Sequence, residues 1–191
     1  MIRNLLQISI GTTLLSSCSL VGDAVDISSR RSKELSSNEV LEGAGFQARS
    51  PTSGLYPVRN LPFKGAITFR PIEPLLDGMV YFVTPFSSHA PTFQQAISEW
   101  NSIPARKGYK VTILEQKRTT YGDFAALEAI TQVDQGSGGQ IAAILIVGKP
   151  GRYFVLHRGD NFYYAKEKST LIVRCKAGLQ KLKTATKIYN G

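Results

Sequence analysis

Residues 109–157 constrain this chain more than any other stretch, because four runs rich in β-branched and aromatic residues are separated there by three turn signals. The runs are 109–114, 124–133, 140–147 and 152–157. The breaks fall at Tyr121-Gly122-Asp123, at 134–139 and at Lys149-Pro150-Gly151. Runs of this kind bounded by Gly, Pro and Asp pair as successive hairpins, so a four-strand antiparallel meander is predicted. Two strands precede it, at 66–70, ended by Pro71, and at 79–84, reached through Asp77-Gly78. A helix over 92–102 follows them. Pro91 suits a first turn, where its missing N–H has no partner, and Ser87 or Ser88 could cap nearby. Phe93, Ile97 and Trp100 recur there at helical spacing, and Pro104 and Gly108 close the element. A second helix over 165–184 puts Leu171, Ile172, Cys175, Leu179 and Leu182 on one face, with Lys and Arg on the other. The order strand, strand, helix, four strands, helix implies an α+β domain, one antiparallel β-sheet with helices packed on it.

The amino end reads differently. Arg3 is followed by a short, mostly apolar run at 5–15 and then by small residues, the pattern of a cleavable signal peptide over 1–17. Leu15-Ser16-Ser17-Cys18 resembles the lipobox of bacterial lipoproteins. That resemblance implies cleavage between Ser17 and Cys18, a diacylglyceryl group on the Cys18 sulfur, and acylation of the new amine. Several acyl chains hold a protein on a bilayer stably, where one does not. The alternative is an incidental or buried cysteine after an ordinary signal or a core helix. Ser19 stands where an Asp would signal inner-membrane retention, which points to the outer membrane, facing the periplasm. Residues 18–53 form the lipidated cysteine and a tether, too poor in large apolar groups to offset their ordering entropy. A helical turn is expected near 36–39, and Phe46 is the earliest candidate core contact. Pro51, Gly54, Pro57 and Pro62 punctuate an irregular lead-in, so the domain is taken as 54–191.

With Cys18 so assigned, Cys175 is left alone, which excludes a disulfide framework. No stretch after residue 20 is long and apolar enough to span a bilayer. The formal charge is 23 − 14 = +9, and its excess lies at the carboxyl end, where seven basic residues from Lys166 to Lys187 face Glu167 alone. Gly45-Phe46 with Pro51, a helix ending near Trp100, the meander and a closing helix to Leu182 together resemble the PsbP-like/DcrB-like superfamily. Its members mostly bind or stabilise other proteins, so the resemblance implies a non-catalytic role without naming the partner, and no cofactor is expected.

No residue set specifies a reaction. His89 and His157 lie apart, with no Cys or carboxylate at ligand spacing, so no metal site is expected. Cys175 is a nucleophile if a histidine reaches it, or a buried core thiol with a raised pKa. Gly136-Ser137-Gly138-Gly139 and Gly148-Lys149-Pro150 read as turns, since neither opens a helix onto a phosphate. If Tyr121-Gly122 is a two-residue loop, Glu115 falls opposite Glu128, and two facing carboxylates would supply a general acid. A different register, or relief by Lys117, would cancel that. Lys176, Lys183 and Lys187 could meet anionic lipid or lipopolysaccharide, or could simply form a solvated helix face. With no aromatic platform among these charges, nucleic acid is not expected. The first reading is therefore a membrane-anchored envelope lipoprotein whose domain binds an envelope protein or another envelope component. A hydrolase using the Glu pair and a carrier of a small apolar ligand between sheet and helix are the alternatives. A pocket on the meander's outer face would favour the carrier.

Overall fold

The computed structural model describes residues 29–34, 39–73, 79–136, 138–162 and 168–189. The signal segment, the Ser17/Cys18 junction, residues 36–38, the Asp77-Gly78 turn and Ser137 lie outside them. The elements in chain order are β1 (Leu41–Gly43), β2 (Phe46–Ala48), β3 (Leu55–Arg59), β4 (Ile67–Pro71), β5 (Val80–Phe86), α1 (Phe93–Ala105), β6 (Lys110–Tyr121), β7 (Phe124–Gln135), β8 (Gly138–Lys149), β9 (Arg152–Phe162), α2 (Lys168–Ala185) and β10 (Thr186–Ile188). Seven strands form one antiparallel sheet in the order β3-β4-β5-β9-β8-β7-β6, and β1-β2-β10 form a second, smaller one. The α+β expectation holds, with one helix on each face of the large sheet.

The meander strands run well beyond the apolar stretches that announce them. β7 and β8 each reach 12 residues, because polar ends such as Asp134 and Lys149 continue the ladder without adding apolar signal. Gly122 takes φ 57 in the turn between Tyr121 and Phe124, a left-handed conformation that glycine adopts without steric cost. The Tyr121 hydroxyl, at the end of that hairpin, lies 3.0 Å from the Lys183 carbonyl and also reaches Thr186. Burial raises its pKa to about 12. The hairpin tip is thereby fastened to the junction of α2 and β10.

One side of the sheet packs Ile141, Ala143, Leu145 and Leu156 against Leu171, Cys175, Leu179 and Leu182 of α2. Each large side chain fully buried in this way contributes about 1.5–3 kcal/mol. The other side packs Leu127, Ile144, Ile146 and Val155 against Ala96, Ile97 and Trp100 of α1. Thr92 caps α1, its Oγ1 accepting from the Gln95 N–H at 3.2 Å. The cap expected at Ser87 or Ser88 thus falls one turn later. Ser88 instead donates to Glu99 at 2.6 Å, and Pro91 sits before the cap.

The boundary at residue 54 moves. Residues 41–48, assigned to the tether, pair with each other and with β10, and Phe46 is completely buried. Proline-bearing residues 55–59, expected to be irregular, form β3, an edge strand where the missing N–H of Pro57 is tolerated. A helical turn at 29–31 is also tacked down. Arg30 donates to the Pro71 carbonyl at 3.3 Å, and Glu34 accepts from the Gly54 N–H at 2.8 Å.

Candidate ligand-binding cleft

A helix rises about 1.5 Å per residue and a strand about 3.4 Å. The 13 residues of α1 therefore span about 20 Å, while the 12-residue strands beneath run about 40 Å. One helix of that length leaves part of the sheet face bare. The uncovered part is a cleft of about 450 Å³, within the range that small-molecule sites occupy. Its floor is Phe82, Thr131, Ala142, Ile144 and His157, and one wall is the carboxyl end of α1 with Trp100, Ile103 and Pro104. The facing lip is the β3–β4 loop, carrying Leu61, Pro62 and Phe63. That loop closes on itself: the Asn60 N–H donates to Ala66 at 2.9 Å, Asn60 Oδ1 accepts from Gly65 at 2.8 Å, and Thr68 Oγ1 reaches the Leu61 carbonyl. At the rim the Gln140 amide donates to Asn161 at 3.2 Å.

Rings dominate the interior. Phe63 packs on Trp100 at 5.3 Å between centroids and on Phe82 at 6.1 Å, and Phe82 stacks on the His157 imidazole at 4.4 Å. His157 is buried, and its Nδ1 has no hydrogen-bond partner among the described residues. Burial, and secondarily the charge of Arg158, lower its pKa from 6.5 to about 3. Because the folded value lies below the unfolded one, the unfolded chain binds an extra proton as pH falls through this window. Stability is whole above about pH 6.5 and declines towards pH 3, by up to about 1.4 kcal/mol per pH unit. Unfolding by urea at several pH values should show that slope, and His157→Phe should flatten it. An unchanged slope would place the acid sensitivity elsewhere.

The Glu115–Glu128 pairing does not form. The loop is Gly122-Asp123 rather than Tyr121-Gly122, so Tyr121 pairs Phe124, Lys117 opposes Glu128, and Glu115 opposes Ile130. A bulge between Ile113 and Glu115 shifts the register again beyond it. Both carboxylates meet lysines: Glu128 lies 3.5 Å from Lys117 and 3.5 Å from Lys183, and Glu115 lies 2.7 Å from Lys176. Lys176 and Lys183 thus each reach a carboxylate of the large sheet. Lys187 belongs to β10, with its ammonium 5.4 Å from the Tyr189 ring.

Cys175 is buried under α2, its Sγ 3.4 Å from the Ile141 carbonyl, and burial raises its pKa to about 11. It lies across the sheet from His157, while His89 is exposed before α1, so no Cys–His pair exists among these three. Among the described residues no three His, Cys, Asp or Glu side chains converge to hold a metal ion, and no helix is long and apolar enough to cross a membrane. Sequence reasoning missed Arg70, Phe63 and Tyr109 as lining groups. Only Arg70 carried a signal, alternating with the core positions Ile67 and Phe69 along β4.

No protein-family model matches the chain, and neither does any curated protein. Solved structures do. The chain is similar to cyanobacterial PsbP (CyanoP) from Synechocystis sp. PCC 6803, at 10% identity and a TM-score of 0.53, covering 79% of this chain and 92% of that one. It is similar also to the Saccharomyces cerevisiae Ran-binding protein Mog1p, at 14% identity and a TM-score of 0.55, covering 81% of this chain and 97% of that one. The likeness is one of fold, an α+β domain of the PsbP and Mog1p kind.

Proposed function

We propose that this is a lipid-anchored envelope protein whose domain binds a small apolar ligand without transforming it. Cys18 is the anchor, the residues after it supply the reach, and the outer membrane facing the periplasm is the location. The cleft carries this reading. It is concave, mostly apolar, built on rigid strands, and lined by no carboxylate among the described residues. General acid–base chemistry needs a proton donor and acceptor of matched pKa, and the buried imidazole alone does not supply that pair.

Trp100 is the single tryptophan and stands in the cleft wall, so its emission reports occupancy directly. Titrating the unlipidated mature chain, residues 19–191, with the neutral aromatic probe 2-naphthamide should change Trp100 emission saturably, with matching heat in calorimetry. No saturable change by either readout, with this probe or with its acid form 2-naphthoate, would end the ligand reading. For the anchor, Cys18→Ala should move the protein out of the membrane fraction and remove fatty acid from the amino terminus.

A protein partner is the second reading. β6 is a free edge strand of 12 residues, mostly exposed, with Ile113 and Leu114 open to solvent, and such edges accept another strand. Mog1p, which shares the fold, is described as Ran-binding.

A further inference from the structure

The lining of the cleft says what kind of molecule would fill it, an inference that rests on the ligand reading above. Its charges are unbalanced. Arg70, half-buried on β4, and Lys107, just past α1, both line it. Neither has an ion-pair partner among the described residues, whereas Lys117, Lys168, Lys176, Lys183, Arg158 and Arg174 each lie within 4.0 Å of a carboxylate. A guanidinium beside an apolar floor matches a planar carboxylate, which it can hold through two parallel N–H···O bonds.

The rest of the lining favours rings over an acyl chain. Phe63, Phe82 and Trp100 sit at mutual angles of 41° to 62°, so they form a faceted wall rather than a smooth tube. A flat ring meets such a wall in offset or edge contacts, each worth about 0.5–1.5 kcal/mol beyond the area it buries. His157 also lies in the floor beside these rings, only 7% exposed, with its buried Nδ1 unpartnered among the described residues.

We propose that the cleft takes a planar aromatic monocarboxylate, its ring system against Phe63, Phe82 and Trp100 and its carboxylate at Arg70, with Lys107 at the mouth. An anionic group beyond the reach of Arg70 and Lys107 would face the apolar floor without a partner, so charge confined to that end fits best.

The test compares 2-naphthoate, its neutral isostere 2-naphthamide and the aliphatic anion decanoate on the unlipidated mature chain, by calorimetry and Trp100 emission. Naphthoate should bind at least about tenfold more tightly than either of the others, the scale of one charge-assisted hydrogen bond. Arg70→Gln should erase the preference over the amide, and a urea-unfolding midpoint matching the parent's shows that the variant is folded. Equal affinity for naphthoate and naphthamide would overturn the carboxylate assignment. Tighter binding of decanoate would overturn the aromatic one. Both results would leave the ligand reading standing, whereas failure of all three probes would remove that reading together with this one.

Discussion

Replacing Asp160 with Ala should destabilise the domain by about 3–5 kcal/mol, the usual result of stranding one member of a buried ion pair. Arg158 lies on β9 under α2, its side chain only 3% exposed, and its Nη2 sits 3.0 Å from Asp160 Oδ2. The guanidinium also lies 4.7 Å from the Tyr81 ring centre and reaches the Gly159 carbonyl, while its Nε has no partner among the described residues. Gly178 of α2 packs directly on it, and a Cβ there would meet the Arg158 side chain at 2.9 Å. The charge therefore has no route to water once its carboxylate is gone. Arg174 touches the same oxygen at 3.7 Å from a half-exposed position, so Arg174→Ala should cost less than about 1 kcal/mol. The double variant Arg158→Met with Asp160→Leu should recover most of the loss, because an apolar pair of similar volume carries no desolvation penalty. Guanidinium unfolding of the four chains decides the matter. A single Asp160→Ala within about 0.5 kcal/mol of the parent, the range of ordinary surface changes, would show that Arg158 finds another partner.

Phe46→Ala should cost a comparable amount, about 3–5 kcal/mol, although it lies in a stretch whose composition resembles a tether. The Phe46 ring meets Phe154 edge-on at 6.2 Å and lies across Gly43, where any side chain would collide with it. Its backbone pairs with Gly43 on one side and Ile188 on the other. Truncating it removes a fully buried side chain and loosens two three-residue strands that have little else to hold them. A loss below about 0.5 kcal/mol in the same assay would return residues 41–53 to the tether.

Legibility followed locality. The meander was readable because its signals are local: apolar runs, with a turn residue between each pair. The short strands were not, because β2 finds β10 some 140 positions later, 186 against 48, and three residues carry no periodicity worth counting. The carboxylate pair failed on a shift of one residue in the hairpin loop, which moves every facing partner by two and puts Lys117 where Glu115 was expected. The cleft was hidden for a third reason. It arises from the mismatch between a short helix and long strands, and the strand ends that create the mismatch are polar. Cys175 was readable from its place on the apolar face of α2, and burial there raises its pKa as expected.

The contacts of Arg30 and Glu34 with Pro71 and Gly54 set a distance scale. A free leash from residue 18 to residue 53 could extend roughly 120 Å at full stretch. Pinned at Arg30, only 30 − 18 = 12 residue steps remain, no more than roughly 42 Å. A domain moored at Cys18 would then ride low over the lipid headgroups, and whatever fills it would have to be delivered along that surface.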